Sequence, residues 1–277
     1  AWLSARLCSA PSVLLLHGIE AWSAPRQALR RLAAKSADWY VAATALTFER
    51  ARRWLRMPEA RCMVVPFGVD LARYTPGPRG ADVLEKYGLR DAVVLLSLGR
   101  LAVGERYKGY DEILGILGRL RAEEPRLVYV VAGDGDDRPR LEAKAHALGI
   151  AEHVRFTGHV SESEKLDLYR AARAFALAGW GEGFGLVLLE ALACGVPVVA
   201  STLDDSFEAI KRGALGVAVD PHDPSALCAG ILEALRRPCG QRVLGLDYFS
   251  REAFGRRIHD LIVQIAGTTC RRSVPQT

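Results

Sequence analysis

The chain has 277 residues, of which 50% are hydrophobic and 25% are charged, and its formal net charge is +5. This composition is typical of a globular protein and excludes a disordered, a collagen-like or a disulfide-scaffold chain. The 6 cysteines include no C-x-x-C pair, and no apolar run approaches the ~18 residues of a membrane-spanning helix, so we expect a cytoplasmic protein with free thiols.

The positive charge is concentrated in the first part of the chain. Residues 1–78 hold 11 Lys and Arg against 5 Asp and Glu, whereas residues 79–277 hold 26 against 27. Part of the excess lies on a predicted helix, at Arg50, Arg52, Arg53 and Arg56. Two interpretations stay open: a solvated basic face, or docking to an acidic membrane surface or an acidic ligand. No basic stripe is interleaved with aromatic residues, so nucleic acid is not an expected partner.

Short apolar runs alternate with helix-length amphipathic stretches from residue 13 onward. In the first part, strands are predicted at 13–16, 39–43 and 63–65, and helices at 25–35 and 46–55. Residues 66–80 contain three Pro and three Gly without periodicity and form the best candidate linker. Beyond the linker, strands are predicted at 93–98, 127–132, 154–156, 174–178, 196–200 and 216–219. The helices of that part are predicted at 111–121, 141–148, 161–172, 186–193, 224–235 and 251–265.

This alternation predicts an α/β fold. Near-continuous apolar strands separated by helices indicate doubly wound parallel sheets with helices on both faces. We predict three parts: a partial Rossmann-like domain over 1–78, a complete one over 79–246, and a closing helix with a tail over 247–277 that returns to the first domain.

Ligands of such folds bind beyond the carboxyl ends of the strands, and two cations follow the predicted strand 93–98. Gly99-Arg100 comes directly after it, and Lys108-Gly109 a few residues later. An Arg fork, a Lys point charge and glycines that allow close approach suit a diphosphate. A solvated loop with incidental cations is the alternative.

A second junction, after the predicted strand 127–132, reads Gly133-Asp134-Gly135-Asp136-Asp137. It lacks the third glycine of a dinucleotide fingerprint, and its acids would repel a pyrophosphate. We interpret it as a tight turn that caps the next helix.

The third junction, over 181–199, has the most unusual composition. Three glycines in five positions, at 181, 183 and 185, leave backbone N–H groups uncovered where a helix begins. Glu182 precedes the helix, and Glu190 lies about two turns later on an otherwise uncharged stretch. The pair is typical of hydroxyl-binding groups in one cleft. Capping by Glu182 and a salt bridge of Glu190 are the structural alternatives.

The third junction resembles the E-x7-E signature of retaining glycosyltransferases of the GT-B fold, in particular the large GT-4 family of group 1 glycosyl transferases. The resemblance runs through essentially the whole chain, and the motifs stand in the family's order. They are His17-Gly18-Ile19-Glu20, Val65-Pro66-Phe67-Gly68-Val69-Asp70, Gly99-Arg100 with Lys108-Gly109, Phe156-Thr157-Gly158-His159-Val160, Glu182-Gly183-Phe184-Gly185 with Glu190, and Gly216-Val217-Ala218-Val219-Asp220-Pro221.

The resemblance implies a role for each motif. Arg100 and Lys108 would hold the donor diphosphate, Glu182 the hydroxyls of the donor sugar, and Glu190 the nucleotide ribose. His17 would contact the donor sugar or the reacting centre, or would be an ordinary turn residue. The remaining donor-binding residues implied are Gly99, Gly158, Val160, Gly183, Phe184, Gly185 and Leu186, with Gly158 and Val160 at the base.

The implied activity is transfer of a hexose from a UDP- or GDP-sugar to a glycan or lipid-linked acceptor, with retention of anomeric configuration and with neither a metal nor another cofactor. A lipid-linked acceptor and the basic first segment together predict peripheral contact with the inner face of the membrane. A sugar-nucleotide-binding module without transfer activity is the alternative. A GT-B epimerase fits the motifs less well, and a dehydrogenase lacks the glycine fingerprint.

The sequence departs from the family pattern at three places. The strands that open the family's first domain have no counterpart, so we expect that domain to be incomplete and much of the acceptor pocket to be missing. Trp180 stands where the family more often has a small or basic residue, which could bias donor choice. Asp204 and Asp205 replace a small Gly-rich turn, and the sequence assigns them no role.

Overall fold

A computed structural model of the chain describes residue 8 and residues 10–272, with side chains through residue 267. The described residues fall into two compact units, one from within Ala1–Gly68 and Phe249–Thr277 and the other Val69–Tyr248.

The first unit is built on a parallel sheet that has three strands in the described residues, in the order β1-β2-β3. The strands are β1 (Val13–Leu16), β2 (Trp39–Ala42) and β3 (Cys62–Val64). The helices of this unit are α1 (Gly18–Ala21), α2 (Ala28–Lys35), α3 (Ala45–Ala51) and α11 (Arg251–Arg272). Tyr40 and Ala42 of β2 pack with Phe48 of α3, while Val41 on the opposite side of the strand packs with Leu261 of α11. Successive residues of β2 therefore point to opposite faces of this sheet, and a helix packs on each face.

The second unit holds a parallel sheet of six strands in the order β6-β5-β4-β7-β8-β9. The strands are β4 (Val93–Leu98), β5 (Leu127–Ala132), β6 (Val154–Gly158), β7 (Ala174–Leu177), β8 (Val198–Ser201) and β9 (Val217–Val219). The helices are α4 (Ala81–Lys86), α5 (Tyr110–Glu123), α6 (Arg138–Ala147), α7 (Glu162–Ala171), α8 (Leu186–Ala193), α9 (Ser206–Ala209) and α10 (Pro224–Arg236).

The strand order of the second unit reverses between β4 and β7. The chain winds outward from β4 to β6 and then crosses to β7, which pairs with the other side of β4. At this boundary a buried chain of hydrogen bonds crosses three strands: Tyr129 Oη donates to Ser97 Oγ, and Ser97 Oγ donates to the Ala176 carbonyl oxygen. At such a reversal the connections that follow the two strands lead to opposite faces of the sheet, and a crevice forms beyond the carboxyl ends of β4 and β7.

Helices cover both faces of this sheet, which explains its near-continuous apolar strands. Ala174 and Ala176 of β7 belong to one large core with α5, α6 and α10. Phe175, which points to the opposite face, contacts Tyr169 of α7 at 5.7 Å between ring centroids. The doubly wound parallel architecture predicted from the sequence is confirmed.

Some predicted elements end elsewhere. The helix predicted over 46–55 ends at Ala51, so Arg52, Arg53 and Arg56 lie beyond it and no basic helical face forms there. Arg50, still on α3, stacks over the Trp22 ring at 3.6 Å. The short helices α1, α4 and α9 were not predicted, because four to six residues are too few to display a helical period.

Candidate active site

Two connections meet at the crevice between β4 and β7. The first runs from β4 to α5 and includes a 3-10 segment (Val103–Lys108), and the second runs from β7 to α8. Gly109 has a φ of +85°, and a Cβ there would lie 2.0 Å from the Ala178 carbonyl oxygen. A Cβ on Gly179 would lie 2.1 Å from the Tyr107 carbonyl oxygen. Only glycine allows both contacts, so the two connections pack backbone against backbone.

This packing brings together Lys108 and Glu182, which the sequence assigned to different motifs. Lys108 Nζ lies 3.3 Å from Glu182 Oε2, and the two side chains are 15% and 21% exposed. Protein atoms shield this ion pair from most of the solvent, so the attraction between the two charges is stronger than in a fully exposed pair. Both side chains can still be reached from the crevice. The crevice therefore contains a cation and a carboxylate in fixed positions, at the point where the strand order of the sheet reverses (its switch point).

Glu105 is a third charged group in the crevice, and the sequence reasoning missed it. Its carboxylate pairs with Arg100 through one oxygen, and the other oxygen lies 3.6 Å from Lys108 Nζ. Arg100 itself is 78% exposed. The sequence contained a signal for this residue, because Glu105 is the one acidic residue between Arg100 and Lys108, the two predicted diphosphate-binding cations. Both cations are thus neutralised by carboxylates of this chain.

Asp204 holds the backbone of Glu182 in place. Its Oδ2 accepts a hydrogen bond from the Glu182 N–H at 2.9 Å, and the Asp205 N–H donates to the Glu182 carbonyl oxygen at 3.2 Å. Burial raises the pKa of Asp204 to about 7, against the opposing effect of hydrogen bonds from Ser206 and Glu182, and the Glu182 charge adds to the increase. The sequence assigned no role to the turn at Asp204 and Asp205, and the structure shows that this turn supports the backbone of Glu182.

The start of α8 forms the floor of the crevice. Gly185, with a φ of +85°, is the N-cap residue of α8 and no side chain caps this helix. Glu182 does not cap it, which excludes the structural alternative for that residue. Instead the Gly183 N–H donates to Glu182 Oε1 at 3.2 Å. Phe184 is buried and Leu186 is exposed. The free N–H groups of a first helical turn attract anions and hydroxyl oxygens.

Glu190 lies on α8 with partners on α7. Tyr169 Oη donates to Glu190 Oε2 at 2.8 Å, and Lys165 Nζ lies 3.3 Å from Glu190 Oε1. The salt bridge considered as the alternative is therefore present. A carboxylate offers about four acceptor positions, so these two contacts leave capacity for a hydroxyl ligand, and the ribose role of Glu190 stays a prediction.

The end of β6 lies beside the second junction. The Gly133 N–H donates to the Gly158 carbonyl oxygen at 3.1 Å, and Val160 follows two residues later, half-buried. The 133–137 turn was predicted to cap the next helix, and it does precede α6, but none of its side chains makes a capping hydrogen bond to that helix. Asp137 occupies the N-cap position of α6, but its carboxylate binds Arg106 at 3.0 Å and Arg140 at 2.6 Å instead of the helix backbone.

His17 lies in the first unit, at the end of β1. It is exposed, and its ring stacks on Phe67 with the centroids 5.7 Å apart and the planes at 6°. Its role toward a donor stays a prediction.

Among the described residues, no group of three or more His, Cys, Asp or Glu has the arrangement of a metal site. None of the described helices has both the length and the hydropathy needed to span a membrane.

Known proteins resemble this chain in sequence and in fold. Residues 84–245 match the family model "Glycosyl transferases group 1". A D-inositol 3-phosphate glycosyltransferase of Geodermatophilus obscurus is 41% identical over 186 residues, which are 64% of this chain and 41% of that protein. A GDP-mannose-dependent alpha-(1-6)-phosphatidylinositol monomannoside mannosyltransferase of Mycolicibacterium smegmatis is 34% identical over 220 residues, 74% of this chain and 57% of that protein. The chain thus spans about half the length of the curated relatives it matches.

Two solved structures have a similar fold. The sucrose-phosphate synthase of Thermosynechococcus elongatus superposes with a TM-score of 0.77 at 24% identity and covers 96% of this chain and 71% of its own. The Anabaena HepE protein, in complex with UDP and glucose, superposes with a TM-score of 0.73 at 21% identity over 99% of this chain and 74% of its own. At this level of identity the likeness establishes the GT-B fold.

Proposed function

Because the chain belongs to the group 1 glycosyl transferases, we propose that it transfers a hexose from a UDP- or GDP-sugar to a glycan or lipid-linked acceptor. The observation that carries this proposal is the Lys108–Glu182 ion pair of 3.3 Å at the switch point of the nucleotide-binding type of sheet. A positioned cation beside a positioned carboxylate matches the two ends of the bond to be broken, the diphosphate and the sugar.

In this proposal, Lys108 and Arg100 stabilise the leaving nucleotide diphosphate. Negative charge grows on the diphosphate as the bond to the sugar breaks, and cations already in place stabilise that charge without reorganisation. Lys108 is only 15% exposed, which strengthens its interaction with a phosphate oxygen. Gly99, at the end of β4, lets the diphosphate approach the backbone.

The carboxylates and backbone amides would hold the rest of the donor. Glu182 would accept hydrogen bonds from sugar hydroxyls, and N–H groups around Phe184, Gly185 and Leu186 would bind the sugar and phosphate. Glu190 would bind the ribose, with Gly158 and Val160 beside the base.

We further propose that the reaction retains anomeric configuration and needs no metal. Glu182 is engaged by Lys108 and by its own Gly183 N–H, an arrangement suited to hydroxyl binding and not to a glycosidase pair of acid and nucleophile. The acceptor would attack the face that the nucleotide leaves, while Lys108 and Arg100 supply the positive charge that a metal supplies elsewhere.

A lipid-linked acceptor fits the surface of α2. Leu29 is 77% exposed and Leu32 is 53% exposed, and Arg30, Arg31 and Lys35 on the same helix are exposed as well. Apolar and cationic side chains on one helix bind an anionic bilayer through both attractions. Within the basic first segment, this surface would hold the chain at the inner face of the membrane. Co-sedimentation with phosphatidylglycerol vesicles should exceed that with phosphatidylcholine vesicles, and Leu29→Ser should reduce it. Equal binding to both would contradict the membrane contact.

The experiment that tests the function is a transfer assay with a donor panel. UDP-glucose, UDP-N-acetylglucosamine and GDP-mannose are incubated with the protein and with D-inositol 3-phosphate or a phosphatidylinositol mannoside, the acceptor classes named by the relatives. Mass spectrometry detects the product, proton NMR gives its anomeric configuration, and EDTA tests for a metal. Nucleotide binding without transfer to any acceptor, an inverted product, or loss of activity in EDTA would each contradict the corresponding part of the proposal.

A further inference from the structure

The turn after β8 is occupied by two acidic residues that the donor site, as proposed, does not use. Asp204 and Asp205 are both fully buried. Taking a carboxylate out of water is costly unless hydrogen bonds satisfy it, so a buried acid in a turn requires a reason. The partners of Asp204 supply that reason.

Each oxygen of Asp204 has a different task. Oδ1 accepts hydrogen bonds from the N–H and the hydroxyl of Ser206, at 3.1 and 2.5 Å. The Ser206 hydroxyl oxygen in turn accepts from the Ser201 N–H at 3.1 Å, which ties the turn to the end of β8. Oδ2 faces the other way and accepts from the Glu182 N–H at 2.9 Å. One side chain therefore joins β8 to the connection that follows β7.

The contact with Glu182 has two points. The Asp205 N–H donates to the Glu182 carbonyl oxygen, so the N–H and the carbonyl of the same residue are both bound by the 204–205 turn. Two hydrogen bonds on opposite sides of one residue restrict the rotation of its backbone. The direction of the Cα–Cβ bond of Glu182, and with it the reach of the carboxylate that lies 3.3 Å from Lys108, follows from that restriction.

We propose that Asp204 is a positioning residue for Glu182, and that through Glu182 it determines how tightly the sugar part of the donor is bound. This inference rests on the proposed function, since it assumes that Glu182 receives sugar hydroxyls. Asp204 does not touch the donor. It sets the geometry of the residue that does, and it leaves the nucleotide end, where Lys108 and Arg100 act, to other elements.

The test compares the affinity for a nucleotide with the affinity for its sugar conjugate. The dissociation constants of UDP and UDP-glucose, and of GDP and GDP-mannose, are measured by calorimetry on the full chain and on Asp204→Asn. Asn keeps the size of Asp, but its NH2 group must face the N–H of either Glu182 or Ser206. The residue can then no longer accept a hydrogen bond from both of these N–H groups. We expect affinity for the sugar conjugate to fall by about tenfold relative to the bare nucleotide, the size of one lost hydrogen bond.

A second variant and a control separate positioning from general damage. Asp204→Gly removes the carboxylate without leaving a buried amide, and it should produce the same loss if Asp204→Asn does not fold. Asp111→Asn also disrupts a charged network, the half-buried bidentate pair with Arg140, and the second ion-pair partner of Asp111 is Lys144 and not Glu182. It should lower the melting temperature and leave the sugar-to-nucleotide ratio unchanged.

A double-mutant cycle shows whether Asp204 acts through Glu182. In a Glu182→Ala background, the change of Asp204 to Asn should no longer alter the sugar-to-nucleotide ratio, because coupled residues are not additive. Equal effects in both backgrounds, or a ratio that Asp204→Asn and Asp204→Gly leave unchanged in a wild type that binds nucleotide, would overturn the inference while the proposed function stands. A wild type that binds neither nucleotide overturns both the donor site and this inference. A wild type that binds donor but transfers no sugar contradicts the proposed function alone.

Discussion

Lys108 Nζ and Glu182 Oε2 lie 3.3 Å apart although 74 positions separate the two residues along the chain. The close contact of the two glycine-rich connections, at Gly109 and Gly179, makes this pair possible. The pair places opposite charges where the strand order of the sheet reverses, which is the place at which α/β folds bind ligands.

Replacing Lys108 by Ala should remove transfer activity while the fold persists. If Lys108 stabilises the leaving diphosphate, the rate should fall by about 100- to 1,000-fold, as for the loss of one preorganised charge-stabilising group. Steady-state kinetics with the donor identified in the panel measure the effect. Arg90→Ala is the matched control, since Arg90 pairs with Glu85 on the exposed surface and its loss should change neither rate nor affinity. A Lys108→Ala enzyme with wild-type activity would refute the assignment.

Replacing Glu105 by Gln should tighten the binding of nucleoside diphosphates. Glu105 neutralises Arg100 and lies 3.6 Å from Lys108, so it competes with a diphosphate for the same two cations. We expect an increase of about 5- to 10-fold in the affinity for UDP or GDP, because solvent and salt screen part of the charge. The affinity for uridine or guanosine, which carry no phosphate, should not change.

The affinity of Glu105→Gln for UDP or GDP, measured by calorimetry, should be compared with that of Glu85→Gln. This control removes the same charge at a side chain that pairs with Arg90, so it corrects for the change in net charge. Weaker diphosphate binding in Glu105→Gln would mean that Glu105 orients the cations more than it competes for them.

Replacing Glu190 by Ala should lower stability as well as activity. The change leaves the buried Tyr169 hydroxyl without its acceptor and Lys165 without one of its carboxylates. We expect a loss of about 1–3 kcal/mol in the free energy of unfolding, the cost of an unsatisfied buried group. Glu190→Gln, which keeps an acceptor for Tyr169, should recover part of that stability. If Glu190 also binds the ribose, both variants should lose affinity for uridine or guanosine, and unchanged nucleoside affinity would exclude that role.

The stability that Asp204 contributes should depend on pH. Burial raises its pKa from 3.8 to about 7, so the folded protein holds this proton more tightly than the unfolded chain does. The contribution is complete below about pH 4 and is lost as the pH rises through 7. The wild type should therefore be most stable relative to Asp204→Asn at pH 5, and the difference should shrink towards pH 8. Urea unfolding of both proteins across this range measures it, and a difference that grows with pH would contradict the raised pKa.

Replacing Gly109 by Ala should disrupt the crevice. The left-handed conformation at φ +85° costs an L-residue about 1–2 kcal/mol, and the new Cβ would also collide with the Ala178 carbonyl oxygen at 2.0 Å. A large fall in melting temperature and a loss of nucleotide binding are expected. Gly104→Ala, in the same connection, meets nothing within 4 Å and should change stability by less than about 0.5 kcal/mol. Similar behaviour of the two variants would contradict the close packing.

Local patterns in the sequence determined the fold class and named most residues of the candidate site. The strands 13–16, 93–98 and 127–132 and the helix 186–193 could be predicted to the residue, since buried parallel strands are continuous apolar runs and their boundaries are marked by Gly, Pro and charged residues. The order of the motifs at strand ends was sufficient to place Arg100, Lys108 and Glu182 at one edge of a sheet and to identify the family.

The partners of those residues were decided by the tertiary structure alone. Glu105 lies beside Lys108 in the crevice, and Asp204 supports the backbone of Glu182 without entering the crevice itself. Glu190 gained Tyr169 and Lys165 as partners. These contacts join segments that are distant in the chain or involve a turn with no sequence period. Within the turn that was predicted to cap α6, the Asp137 carboxylate binds Arg106 and Arg140 instead of the helix backbone. The sequence specifies the charge and the hydrogen-bonding groups of each side chain. Which partner a side chain meets depends on which segments of backbone come close together in the folded chain. In this protein that approach depends on positions such as Gly109 and Gly179, where no Cβ keeps two connections apart.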